Sequence, residues 1–278
     1  MDQDSGSNKI SLAGLSAVPY TLLIPLAGRA AASRMFPEAG FSDPTAQEVL
    51  TRLTETGREF VHHKITVFSI LERTRIFRDL TKEFIQRNPH TTVVNLGCGL
   101  SNYYQWLDYG THSWIDADLA EVMQIRKQLI QPRNERHRFL EISITSSDWW
   151  EKLNLPKELP VQLIVEGVLM YLQPQEVIQF LKIFAEKASR GSEILFDFMC
   201  WIQIGRGRKH HPVLKYTKAE FAWGVRRLTD LAHIHPRLKL TSHHRILKNS
   251  SPVLSLSEAV FQKFTGVPFY AIAKLTVE

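Results

Sequence analysis

Two glycines placed directly after an apolar run are the first residues in this 278-residue chain whose spacing suggests chemistry. In Thr91-Thr-Val-Val-Asn-Leu-Gly-Cys-Gly-Leu100 the run ends in Gly97-Cys98-Gly99, and a helical pattern follows. Glycines at such a turn let the backbone approach a ligand with no Cβ in the way. A dinucleotide site needs a third glycine, but that position holds Asn102, and no Gly-Lys-Ser/Thr exists for a phosphate loop. What remains is a nucleoside ligand without a bound pyrophosphate, with S-adenosylmethionine as the obvious candidate; a plain strand-to-helix turn is the competing reading.

The next apolar run, Ser113-Trp-Ile-Asp-Ala-Asp118, ends in two acids, Asp116 and Asp118. A carboxylate at the carboxyl edge of a parallel sheet can accept both ribose hydroxyls. Asp118 would serve equally as the N-cap of the helix that follows.

These residues need a sheet to hold them, and the pattern after His90 supplies one. Short apolar runs at Thr92–Leu96, Ser113–Ala117, Arg138–Ile142, Val161–Glu166 and Glu193–Phe198 alternate with helical stretches near Tyr103–Leu107, Leu119–Ile130, Trp149–Leu153 and Pro174–Ser189. That rhythm predicts a mostly parallel α/β sheet wound with crossover helices. Later runs at Leu238–Leu247 and Phe269–Val277, separated by a helix near Leu256–Phe264, suit a terminal antiparallel strand inserted at the sheet end. Residues before about 90 read as helical. Asp43-Pro44 caps a helix over Thr45–Thr56 that Gly57 ends, and a longer helix covers Lys64–Gln86. The expected division is a helical cap over 1–89 and a ligand-binding core over 90–278, with a basic insert at about 201–236.

Composition sets the outer bounds. With 44% hydrophobic and 10% aromatic residues, the chain is an ordinary globular protein and neither disordered nor fibrous. Two cysteines, Cys98 and Cys200, make no disulfide framework, and no Cys/His cluster suggests a metal; a reducing, cytoplasmic setting fits. Ser11 to Gly28 carries no charge, but Pro19 and Pro25 interrupt it and Asp2 and Asp4 precede it, which disfavours a membrane or export role. The net charge of +6 is uneven, because Trp201 to Ser250 holds eleven Lys/Arg against two acids and so carries +9 by itself. Such a segment attracts nucleic acid, an anionic membrane or an anionic small molecule, or is simply a solvated face.

Together these motifs resemble the leucine carboxyl methyltransferase family of class I S-adenosylmethionine-dependent O-methyltransferases, which includes carboxyl and phenol methyltransferases of polyketide biosynthesis. Arg29-Ala30 with Asp43-Pro44-Thr45-Ala46 looks like the family's helical arm, and Glu72-Arg73-Thr74-Arg75 like its arginine signature. Val94-Asn-Leu-Gly-Cys-Gly-Leu100 matches the glycine loop, Asp116-Ala-Asp-Leu-Ala-Glu-Val122 the ribose segment, and Val165-Glu-Gly-Val-Leu-Met-Tyr-Leu172 before Pro174 the motif after the fourth strand. The resemblance implies a Rossmann-like sheet in which Arg73, with Arg29 as a second cation, grips the methionine carboxylate. Asp118 would hold the ribose, Glu166 would lie beside the cofactor, and Ser143 and Ile144 would stand where members recognise adenine. Departures from the pattern are Ser101-Asn102-Tyr103 after the glycine loop, and Ser143 in place of an aspartate.

Methyl transfer from a sulfonium is an in-line displacement that needs a positioned nucleophile and no metal. An acceptor carboxyl group, pKa about 4, is already ionised at neutral pH, whereas a phenol near 10 gains from a base. The expected acceptor is a hydrophobic anionic or phenolic small molecule, with no nucleic acid or membrane partner. It would be oriented by the basic segment through Arg206 and His210, covered by an apolar lid containing Tyr20, and served by Tyr171 and His211. Methylation of a protein C-terminus, and a non-catalytic protein that binds cofactor and a partner, are the other readings.

Overall fold

The computed structural model describes residues 9–206 and 214–278. Seven strands form one sheet in the order β3-β2-β1-β4-β5-β7-β6. They are β1 (Thr92–Leu96), β2 (Ser113–Asp118), β3 (His137–Glu141), β4 (Val161–Val165), β5 (Glu193–Met199), β6 (Leu238–Arg245) and β7 (Tyr270–Val277). β1 to β5 run parallel, and β7 lies antiparallel between β5 and β6. Every residue of β1, β4 and β5 is buried, because helices cover both faces of a parallel sheet.

Alternation along the strands divides the core. Val94, Leu163, Val165 and Phe196 pack with Trp149, Phe180 and Phe184 from α7 (Trp149–Leu153) and α8 (Pro174–Lys187) on one face. Val93, Ile164, Leu195 and Ile272 face the other layer, which holds Phe77 and Leu80 of α4 (Lys64–Arg87). Ahead of α4 lie α1 (Leu23–Met35), α2 (Pro44–Thr51) and α3 (Arg58–Val61); α5 (Tyr104–Leu107) and α6 (Ala120–Leu129) follow β1 and β2, and α9 (Leu228–Ala232) and α10 (Pro252–Thr265) flank β6. No helix among the described residues is long and apolar enough to cross a membrane.

One element departs from the sequence reading. The helix opened by Asp43, whose carboxylate accepts from the Ala46 amide at 2.9 Å, stops at Thr51 and not at Thr56. The cause is a distant partner: Ile10 donates to the Arg52 carbonyl and accepts from the Thr54 amide, pulling that backbone into a bridge. The uncharged N-terminal stretch combines both expected forms, lid and helix, lining the cavity at positions between Ser16 and Pro25 and continuing as α1 from Leu23 onward. Pro25 is accommodated in the first turn of that helix, where its missing N–H would have had no intrahelical partner.

Candidate active site

A cavity of about 520 Å³ opens above the carboxyl ends of β1, β2 and β4, where the chain crosses from one half of the sheet to the other. Its size lies within the range of small-molecule sites. The floor is the Gly97-Cys98-Gly99 turn. Gly97 has φ +67°, and a Cβ there would stand 2.3 Å from Val168 Cγ2. Gly99, at φ +51°, would bring a Cβ to 3.4 Å from Leu22 Cβ and is otherwise uncrowded on that side. Cys98 also lines the cavity, its buried sulfur 3.9 Å from that of Met123; burial pushes its pKa well above the ordinary value.

β2 delivers two acids with different fates. Asp118 lines the cavity, its Oδ2 accepting from the Gly99 amide and its Oδ1 from the Leu119 amide, each at 2.7 Å. Burial pushes its carboxyl up to about 6 in spite of those bonds. It caps no helix end by its side chain, since α6 begins after Leu119. Asp116, expected beside the ligand, does not reach it. It is fully buried and holds Arg126 at 2.5 Å, His137 at 2.8 Å, Trp114 Nε1 at 3.0 Å and Asn95 Nδ2 at 2.9 Å. Burial opposes its charge, but Arg126 and the His137 and Trp114 bonds prevail and hold it at about 2. Arg126 also donates to the Gly99 and Ser101 carbonyls, so this network braces the glycine turn from below.

At the other end, Arg73 from α4 reaches the β4 exit. Its Nη2 stands 2.8 Å from Glu166 Oε1, while its Nη1 donates to Asp197 at 3.0 Å and to the Tyr270 hydroxyl at 2.8 Å. The Tyr103 hydroxyl donates to the second Glu166 oxygen at 2.7 Å. Arg29 lines the cavity but is tied to Asp43 at 3.0 Å and to the Leu100 carbonyl at 3.3 Å. Ser143 and Ile144 form a wall with Ile142 and Thr145, and the Ser143 hydroxyl is already paired with Thr145 at 2.9 Å.

The remaining lining is mostly apolar, with Val18, Pro19, Ile24, Ile70, Met170, Met199, Leu214 and Phe221 besides Tyr171, and Thr21, Thr66, Ser69 and Tyr270 add polar groups. The Tyr171 ring lies 5.6 Å from that of Phe221, and burial pushes its hydroxyl up to about 12. At neutral pH it keeps its proton and can orient an oxygen but not remove a proton. Tyr20 does not line this cavity; it packs half-buried against the core, and burial and the neighbouring Glu55 and Glu59 raise its pKa. Arg206 is exposed and also lies outside the lining. His210 and His211 fall outside the described residues.

The basic segment gives the cavity only Leu214 and Phe221 among the described residues. Four of its cations are engaged within the protein. Arg237 donates to the carbonyls of Ala185, Glu186 and Ala188 at the end of α8, Arg226 stacks 4.8 Å over Trp201, and Arg227 and Lys239 pair with Asp230 and Glu278. Sequence reasoning missed Asp197 and Tyr270. The available signal was an acid inside the otherwise apolar run Ile194–Met199, which a buried strand tolerates only with a partner.

The family model for leucine carboxyl methyltransferase matches residues 23–185. Over 262 residues the chain is 26% identical to the tetracenomycin polyketide synthesis O-methyltransferase TcmP of Streptomyces glaucescens, covering 94% of each. It is 29% identical over 201 residues to the S-adenosyl-L-methionine-dependent methyltransferase dpfgK of Gibberella zeae, covering 66% of each. Among solved structures, the plantazolicin methyltransferase BamL, crystallised with SAH, aligns at a TM-score of 0.51 with 13% identity over 94% of this chain and 99% of that one. A protein from Thermobifida fusca YX aligns at 0.55 with 11% identity over 99% and 97%; both likenesses concern the fold. The chain belongs to the leucine carboxyl methyltransferase family, a family of S-adenosylmethionine-dependent O-methyltransferases.

Proposed function

We propose that this S-adenosylmethionine-dependent O-methyltransferase methylates a carboxylate or phenolic oxygen of a hydrophobic acidic small molecule of secondary metabolism. The observation that carries the proposal is the division of one cavity into a polar half, built by Gly97, Gly99, Asp118, Arg73 and Glu166, and an apolar half around Tyr171 and Phe221. The named role of TcmP in polyketide synthesis favours a small-molecule acceptor over a protein C-terminus.

The residues fit the cofactor. The glycine turn leaves its backbone bare on one side, and Asp118 presents a carboxylate pinned by two amides for a ribose. Arg73 and Glu166 offer opposite charges suited to the carboxylate and ammonium of a methionine moiety, and Arg73 Nε is buried with no hydrogen-bond partner. When bound, S-adenosylmethionine supplies a methyl group made electrophilic by its sulfonium. The chain's own contribution is orientation and exclusion of water: the apolar half aligns the acceptor by shape, and Tyr171 donates a hydrogen bond to it. A carboxylate acceptor needs no base here, since it is ionised at neutral pH. The test is incubation with an apolar ring compound bearing both a carboxyl and a phenol, read by mass spectrometry. One added methyl on oxygen supports the reading, whereas transfer only to polar or peptide acceptors contradicts it.

A further inference from the structure

The second carboxylate on Arg73 has no part in the binding scheme above, on which this inference rests. Asp197 is fully buried and does not line the cavity. Its Oδ2 accepts from Arg73 Nη1 at 3.0 Å and from the Tyr270 hydroxyl at 2.6 Å, and its Oδ1 from the Gly167 amide at 2.6 Å. The sheet register creates this triangle. Asp197 of β5 pairs with Ile272 of β7, so Tyr270, two residues along, lies diagonally on the same face, the one turned toward α4.

Burying a carboxylate is costly unless it is paired and hydrogen-bonded, and Asp197 is both. Yet one guanidinium serves two carboxylates, so the cluster carries one more negative charge than positive. A guanidinium beside Glu166 alone would close on it as a bidentate fork, and each group would neutralise the other. Held at Nη1 by Asp197 and Tyr270, Arg73 reaches Glu166 with Nη2 only, at 2.8 Å.

We propose that Asp197 and Tyr270 are positioning residues that hold Arg73 off a bidentate pairing with Glu166. Arg73 then remains available to the carboxylate, and Glu166 to the ammonium, of the cofactor's methionine moiety. The surplus negative charge of the cluster complements the net positive charge of S-adenosylmethionine. The same Asp197 fixes the Gly167 amide, and with it the backbone that carries Glu166.

Calorimetric titration of S-adenosylmethionine into the full chain tests this without any acceptor. Tyr270→Phe removes one hydroxyl and should weaken binding about fivefold, and Asp197→Asn more than about tenfold, with unfolding temperatures that do not track the loss. Adding Glu166→Gln to Asp197→Asn should cost less than Glu166→Gln costs in the wild type, because the pair has already closed on itself. Wild-type affinity in both single variants, or full additivity in the double variant, overturns the proposal. Should Asp197→Asn fail to fold, the affinity of Tyr270→Phe decides alone. The underlying scheme fails differently, by wild-type affinity in Arg73→Ala and Glu166→Gln.

Discussion

Asp116 and Asp118 lie two residues apart on one strand and titrate in opposite senses. Asp116, held at about 2, contributes stability that is fully present above the ordinary carboxyl value and lost as the pH falls from about 4 toward 2. Its shift corresponds to about 2 kcal/mol. Asp118, pushed up to about 6, has the reverse sign: between about 4 and 6 the native state holds the extra proton, so this group's contribution to stability falls as the pH rises. Its carboxylate form is the one suited to two ribose hydroxyls. Affinity for S-adenosylmethionine is therefore expected to fall about tenfold per unit below pH 6, and Asp118→Asn should be weak and flat across that range. A wild-type affinity constant from pH 5 to 8 would contradict this. Gly97→Ala meets both a left-handed φ and Val168, and should lower stability by about 1–3 kcal/mol in thermal unfolding while weakening cofactor binding. The glycine turn and the acids were legible in the sequence. The resemblance singled out Asp118 for the ribose; that Asp116 instead closes a buried network was not legible, because it depends on Arg126 and His137 arriving from α6 and β3.

Elements were legible where local chemistry decides them. β1, β4 and β5 are continuous apolar runs bounded by polar or turn residues, as parallel strands covered on both faces must be, and α7 follows the pattern of its own residues. They were not legible where a remote partner decides: α2 ends early because Ile10 takes the backbone after Arg52. The basic segment shows the same limit, since its cations were read as facing an acceptor. Arg237 instead caps the free carbonyls at the end of α8 with three hydrogen bonds. Arg237→Ala is expected to cost about 1–2 kcal/mol in denaturant unfolding and to leave the KM for acceptor unchanged. A changed KM with unchanged stability would return that cation to substrate binding.

On the scale of the whole molecule, the cavity is closed by joining the N-terminal segment to the sheet layer. Ser16, in the cavity wall, donates to Glu121 of α6 from its amide at 3.0 Å and its hydroxyl at 2.5 Å, and Glu55 accepts from Ser11 and the Leu12 amide further back. These contacts hold the wall over the cavity. Glu121→Ala should raise the KM for S-adenosylmethionine about three- to tenfold, with kcat at saturation little changed. The polar floor, the helix α4 that supplies Arg73 and the apolar half line one cavity, and the proposal is that they act as one binding surface. The most direct test of that claim is calorimetric titration of S-adenosylmethionine into the wild-type protein and into Asp118→Ala and Arg73→Ala. Saturable binding of one molecule per chain that weakens at least about tenfold in each variant is the expected result. No binding to the wild type, or unchanged affinity in the two variants, would contradict it.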